Sequence, residues 1–401
     1  MISVDEALDR IFLQLDPPAS ESVPLARAHR RVLAEPLVAR HNQPPFDSSA
    51  MDGYAVRAAE VSLDRPLKLA GTSQAGARFT GMMEHGQCVR IFTGAPMPIG
   101  ADAVVIQENT SAAGNQISFT AVPKPGQNIR RLGMDFTRGQ TLLDAGAPLT
   151  PAMLALAASA NQPTLTVTKR PRLALIATGD ELVPPGTSLG NDQIVASNSY
   201  GLIPLLGGYA EKVVDLGIVP DDKAKIEQAL IGAFDYGVDV LITTGGASVG
   251  ERDYVREVLI DLGVKLDFWK LMMRPGKPLM FGTRGSTLVF GLPGNPVSAM
   301  VTATVLLRPA LRQMTGHQDP FWPEMSVPLA EDLPPNGERR HFLRGRLRRS
   351  DVGFLEVMPI RETDSAHSTS LAEATALIVQ PEGDPGMRAG DMVDVIPLGW
   401  G

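Results

Sequence analysis

RLALIATGDELVPPG, residues 172–186, decides the fold. Its first seven residues are nearly all apolar, the pattern of a strand buried on both faces, and turn residues follow at once. Outward from it the rhythm repeats. A helical stretch around Tyr200–Leu206 leads to a strand, EKVVDLGIV (211–219), and PDD then opens the helix KAKIEQALIGAF (223–234). VDVLITT (238–244) is a third strand, and GGASVGERD (245–253) leads into the helix YVREVLIDL (254–262). KLDFWKL, PLMFGT and STLVFGL follow as strands, and NPVSAMVTATVLL (295–307) closes as a helix. Strands alternating with helices at this spacing predict a doubly wound, mostly parallel sheet with helices on both faces.

The flanks read differently. SVDEALDRIFLQL (3–15) predicts an amphipathic helix with a Ser3/Glu6 capping box, stopped by Pro17 and Pro18. From there to about Asp144, short alternating runs such as QCVRIF and ADAVVI predict a β-rich module. TPAMLALAASAN (150–161) resumes a helix, with Thr150 as N-cap and Pro151 in the first turn. From about Phe321 short strands and Gly/Pro turns return, predicting a small C-terminal β-barrel.

The 401 residues carry 37 Lys+Arg against 44 Asp+Glu, a net charge of −7, with 44% hydrophobic residues. That is enough apolar matter for real cores and speaks against a general nucleic-acid coat. Cys88 is the single cysteine, which excludes an intrachain disulfide and a cysteine-cluster zinc site. The six histidines show no paired metal-ligand spacing. With no signal-like leader or membrane-length apolar run, the expectation is a cytoplasmic protein with no membrane partner.

Chemistry concentrates in the loops after the central strands. In an open parallel sheet these carboxyl ends share one edge, where ligands bind at the switch in strand order. Asp180, Glu181, Asp221 and Asp253 would converge there, a hard-oxygen set suited to Mg²⁺. Gly245, Gly246, Ser248 and Gly250 open a helix and offer backbone N–H groups to an anion, although a tight turn explains them equally. Lys270, Arg274 and Lys277 surround a Pro-Gly turn and fit a phosphate-bearing ligand. Pro293, Gly294, Asn295, Pro296 and Ser298 start a helix that could hold a further anion. The run ERRHFLRGRLRR (338–349) reads as a strand with solvated arginines. Asp47, Asp52, Thr93, Arg130, Arg131 and Asp135 have bland explanations singly, as turns and solvated edges.

Taken in order, SSAMDGYAV (48–56), FTGAPMPIGADAVV (92–105), IRRLGMDF (129–136), TGDEL (178–182), SNSY (197–200), TGGASVGERDY (244–254), RPGKP (274–278) and GLPGNPVSA (291–299) resemble the molybdopterin molybdenumtransferase family, the bacterial counterpart of the gephyrin E domain. The resemblance covers essentially the whole chain. It implies four domains: 1–42 with 139–168, a β-rich insertion at 43–138, an α/β molybdopterin-binding domain at 169–316, and a C-terminal barrel at 317–401. It implies insertion of molybdate into the dithiolene of adenylylated molybdopterin, with Mg²⁺-dependent release of AMP. A homodimer with a cross-subunit site follows too, with molybdopterin adenylyltransferase and molybdenum-enzyme maturation proteins as partners. A non-catalytic scaffold or a tungstate-preferring paralogue would share these motifs.

By motif, Asp52, Thr93, Asp135, Glu181, Asp221 and Asp253 carry activity, with Glu181, Asp221 and Asp253 on the metal and Asp52 acting across the dimer. Gly245, Gly246, Ser248, Gly250, Lys270, Arg274, Lys277, Ser298 and the PGNP turn bind substrate, and Arg130 and Arg131 attract molybdate. Arg274 stands where relatives often carry lysine. Ser365 and Ser370 match a C-terminal motif loosely.

Overall fold

The computed structural model describes residues 1–246, 254–321, 325–362 and 364–399. Ser248, Gly250 and Asp253 lie outside the described residues. The chain divides into two compact units, residues 1–21 with 168–401, and residues 22–167.

The first unit opens with α1 (Val4–Phe12), whose Ser3 Oγ accepts from the Glu6 N–H at 3.0 Å. Only half of the capping box forms, because the Glu6 carboxylate instead receives Arg10 Nη2 at 2.7 Å. Val4, Ala7, Leu8 and Ile11 are buried, and the helix ends before Leu15. The central sheet comprises β1 (Arg172–Thr178), β2 (Lys212–Val219), β3 (Val240–Thr244), β4 (Lys265–Phe268), β6 (Met280–Arg284) and β7 (Thr287–Leu292), with the two-residue β5 (Met273–Arg274) leaving between β4 and β6. The order is β2-β1-β3-β7-β6-β4.

β2, β1, β3 and β7 are mutually parallel, but β6 runs antiparallel to both β7 and β4. The sheet is thus parallel except for β6. Only Gly285 and Ser286 separate β6 from β7, and a two-residue connection permits only an antiparallel hairpin.

Helices α2 (Asn198–Gly207), α3 (Lys223–Asp235), α4 (Tyr254–Asp261), α5 (Pro296–Thr302) and α6 (Arg308–Met314) complete the layers. Alternate strand residues feed two cores. Leu173, Leu175, Val240, Ile242 and Phe290 face the cluster that holds Leu202 and Leu206 of α2 and Val297 and Val301 of α5. Ala174, Ile176, Leu241 and Val289 face Ile226 and Leu230 of α3 and Val258 of α4. Each such aliphatic side chain contributes roughly 1.5–3 kcal/mol on burial. Asp222 caps α3, its Oδ1 accepting from the Lys225 N–H at 2.9 Å. The closing helix does not stop at Leu307: a π turn over Ala303–Leu307 joins α5 to α6 and accommodates Pro309, which has no N–H to donate.

A second sheet of this unit has the order β5-β9-β11-β12-β8, using β8 (Met325–Pro328), β9 (Arg340–Arg349), β11 (Ala376–Gln380) and β12 (Met392–Pro397), with β10 (Leu355–Pro359) paired to β9. A bridge between Leu329, just after β8, and Val357 of β10 curls it. The short helix α7 (Ser368–Glu373) precedes β11. The arginine run does not sit wholly in solvent, because His341 to Gly345 of β9 are all buried. Arg344 is only 5% exposed.

The second unit holds a six-stranded, mostly antiparallel sheet built from Gly53–Val56, Leu67–Ser73, Gln87–Ile91, Ala103–Ile106, Thr110–Ala113 and Gln116–Phe119. Its helix Pro151–Ser159 starts on Thr150, whose side chain accepts from Met153 N–H. Asn161, just past its end, takes the left-handed conformation that closes a helix (φ +61°). Together the units make an α/β plus β-rich multi-domain architecture. No helix among the described residues is long and apolar enough to cross a membrane.

Candidate active site

The strand order reverses at β1, with β2 on one side and β3 on the other. The loops leaving β1 and β3 therefore diverge to opposite sides of the sheet and open a crevice between them. How tightly the strand ends meet is read from Gly245 (φ +84°), where an added Cβ would lie 2.5 Å from the Thr178 carbonyl oxygen. At Gly294, after β7, a Cβ would lie 3.8 Å from Gly245 Cα. Asn198 at the start of α2 donates through Nδ2 to the Gly294 carbonyl at 2.7 Å and fixes that turn.

Against these ends lies a cleft of about 760 Å³. Gly245, Gly246, Pro293, Gly294, Asn295 and Ser298 form one wall, Arg274 and Lys277 another. Ser298 is buried in the first turn of α5, whose N-terminal end favours negative charge. Pro296 occupies the first helical position and does not line the cleft. Nor does Lys270: β4 ends at Phe268, and the ammonium lies over the Trp269 ring at 5.0 Å.

The third wall comes from the C-terminal segment: Arg339, Glu362, Asp364 and Ser365. Asn295 Nδ2 donates to Ser365 Oγ at 2.8 Å, and the Val297 N–H donates to the Ser365 carbonyl at 3.2 Å. Ser370 lies behind this wall, bonded to Arg344. Of this wall the sequence motifs pointed to Ser365 alone. The others sit in ordinary polar loop sequence, and the one usable signal is the concentration of arginine at 339–349.

The acidic loops also come together. The Asp221 N–H donates to Asp180 Oδ1 at 3.0 Å. Burial raises the Asp221 carboxyl above the ordinary range, and the charges of Asp180 and Glu181 push it further. Such unrelieved like charge favours a proton or a bound cation. Among the described residues no three such groups form a ready-made metal cage.

The second unit assembles its own set. Ser48–Ser49 pairs with Ile129–Arg130, and the Gly94 N–H donates to the Ser49 carbonyl at 2.9 Å. Asp52 Oδ1 thereby accepts from Thr93 twice, from the N–H at 2.7 Å and the hydroxyl at 2.8 Å. These two bonds, aided by Arg90, hold the Asp52 carboxyl below its usual range. Asp47 accepts from the Leu132 N–H and pairs with Arg131 Nη1, each at 2.7 Å. Arg131 is thus partnered, whereas the exposed Asp135 and Arg130 join the set through the backbone of their segment.

Three family models cover the chain: the MoeA N-terminal region (domain I and II) over residues 2–161, a probable molybdopterin binding domain over 174–313, and the MoeA C-terminal region (domain IV) over 326–398. A molybdopterin molybdenumtransferase of Haemophilus influenzae is 37% identical, with 99% of each chain covered. One from a Nostoc species is 35% identical over 94% of this chain and 89% of its own. Among solved structures, a molybdopterin biosynthesis MoeA protein of Pyrococcus horikoshii superposes with a TM-score of 0.84 at 28% identity, over 99% of both chains. With relatives this similar along its whole length, the chain belongs to the molybdopterin molybdenumtransferase (MoeA) family of enzymes.

Proposed function

We propose that the chain works in molybdenum cofactor biosynthesis, inserting molybdate into the dithiolene of adenylylated molybdopterin as AMP is released in a Mg²⁺-dependent step. The observation that carries this reading is the cleft at the strand ends, where Arg274, Lys277 and Arg339 share one hollow with a Gly-rich turn and the start of α5. A substrate with a phosphate at its middle and a dianionic oxyanion as co-substrate suits that set. Arg274, with five donors in a planar fork, can take two oxygens at once, and Lys277 supplies a point charge. Gly245, Gly246 and Ser298 orient the phosphate.

Mg²⁺ would be held by Asp221 and Glu181 with Asp180 beside them, and when bound it screens the charge of the phosphoanhydride. Within the chain, Asp180 and Glu181 keep the Asp221 carboxylate in want of a cation. Asp52, kept ionised by Thr93, is assigned to the cleft of a partner copy, as are Asp135, Arg130 and Arg131. Exposed apolar residues beside this set, Met51, Leu132 and Met134, support a protein-covered face there.

Purified protein given adenylylated molybdopterin, molybdate and Mg²⁺ should release AMP and yield molybdenum cofactor. Asp221→Ala and Asp52→Ala should lose turnover while still folding, as a single cooperative melt would show. Full activity in both would overturn the site assignment. Light scattering at micromolar concentration should give a dimer.

A further inference from the structure

Arg90 has no step in the chemistry above, yet it stands where the segments that place Asp52 meet. It lies on the strand Gln87–Ile91 of the second unit, directly across from Tyr54. Its guanidinium lies over two aromatic rings, 5.1 Å from the Tyr54 centroid and 4.9 Å from that of Phe92. Nη1 donates to the Gly53 carbonyl at 3.1 Å, and Nη2 to Gln107 Oε1 at 2.7 Å. Gln107 in turn donates its N–H to the Asp52 carbonyl at 3.0 Å. The carbonyls of Asp52 and Gly53 are therefore both held, one through Gln107 and one by Arg90 itself. Phe92, the second ring, immediately precedes Thr93, whose N–H and hydroxyl both bond Asp52 Oδ1.

Three stretches distant in sequence, 52–54, 92–93 and 107, thus converge on one planar group. A guanidinium is attracted to ring faces, and its donors leave in fixed directions within its plane, so the rings that clamp it also fix what it bonds. Arg90 is near enough to Asp52 for its charge to lower that carboxyl, but among the described residues no ion pair or hydrogen bond joins the two. A cation placed to neutralise a carboxylate would be paired with it, whereas this one bonds a main-chain carbonyl and a side-chain amide. Nor does any described residue bond Asp52 Oδ2, because both Thr93 donors fall on Oδ1.

We infer that Arg90 is a positioning residue: held between two rings, its fork ties Gly53 to Gln107 and so aims the open oxygen of Asp52. The inference rests on the reading of Asp52 given above. Arg90→Gln removes charge and fork, and Arg90→Lys keeps the charge alone. Lys68→Gln, at an exposed cation of the same sheet, is the control. Two readouts are taken on the full chain: hydrogen exchange of the Thr93 and Gln107 amides, and kcat and KM for molybdate in AMP release.

In Arg90→Gln both amides should exchange about tenfold faster or more, since the segments that carry them lose their common partner. The kcat should fall about tenfold to a hundredfold with KM for molybdate little changed, as when a group that acts only in the transition state is misplaced. Arg90→Lys should recover little of either, and the control should match wild type. If Arg90→Gln does not fold, Gln107→Ala, which deletes one acceptor and keeps the backbone N–H, should show the same direction with a smaller amplitude. A KM that rises while kcat holds would make Arg90 a contact of the oxyanion and overturn the positioning role. A lysine variant equal to wild type would overturn the need for the fork. Were Asp52→Ala to keep full turnover, the functional reading of Asp52 would fail by itself. Unchanged exchange at Thr93 and Gln107 in Arg90→Gln would overturn the inference separately.

Discussion

Gly245→Ala tests the switch-point geometry most directly. The residue has φ +84°, and an alanine Cβ there would stand 2.5 Å from the Thr178 carbonyl oxygen and 3.1 Å from Thr178 Oγ1. The left-handed backbone costs an L residue about 1–2 kcal/mol. The contact with a main-chain oxygen cannot be relieved by a rotamer, so β1 and β3 must part, which adds about 1–3 kcal/mol on the scale of overpacked cores. Gly237→Ala separates the two effects. Gly237 also has a positive φ, +71°, but its nearest neighbour would be Arg172 Nη2 at 3.4 Å, the end of a flexible side chain. It should lose only the backbone part, about 1–2 kcal/mol. Urea unfolding with a check for constant m, alongside thermal melts, gives both values, at roughly 2–4 °C per kcal/mol for a domain of this size. Equal losses in the two variants would refute the close approach of the β1 and β3 ends on which the cleft rests.

Two further outcomes follow from the titrating groups. Asp221 is raised by burial and by Asp180 and Glu181, so its ionised form is disfavoured in the folded chain and the penalty is fully present at neutral pH. Asp221→Asn should therefore melt higher than wild type at pH 7, with the gain fading toward pH 4, and added Mg²⁺ should raise the wild-type melting temperature but not that of the variant. His341 is pushed down to about 4 by burial and by Arg274, Arg339 and Arg344, and His317 to about 4 by burial and by Arg312 and Arg170. Both are neutral when folded while the unfolded chain takes up protons below its ordinary 6.5, so stability falls as pH drops from 6.5 toward 4. For His341 the loss is up to about 2–3 kcal/mol, and less for the partly exposed His317. Urea midpoints for His341→Gln should flatten over that window, and an unchanged slope would count against it.

Much of the fold was legible because burial leaves a periodic trace. RLALIAT and VDVLITT read as strands since both of their faces are covered, and Ser3, Thr150 and Asp222 read as caps because a short polar side chain before an apolar run has few other uses. The sense of β6 is not carried by its apolar content, which reports burial and not direction; the two-residue Gly285-Ser286 connection carries it. The run at 338–349 misled for a related reason. Arg344, Arg346 and Arg348 recur at every second position, as on a solvated strand, yet the segment from His341 to Gly345 is enclosed on both faces and Arg344 finds acceptors from a loop some 20 residues onward.

The candidate site shows the same asymmetry in its chemistry. Glycine turns and strand ends place main-chain donors through local rules, so 245–246 and 293–298 could be picked out from sequence. Glu362 and Asp364 have no local rule, because their orientation is dictated by a guanidinium on another strand. The same cleft holds Arg274, Lys277 and Arg339. Two carboxylates facing three cations weaken the pull on any anion that merely carries charge, while leaving directional donors to reward one whose oxygens match the fork. Selectivity in this cleft would then depend on how firmly the acidic wall is held.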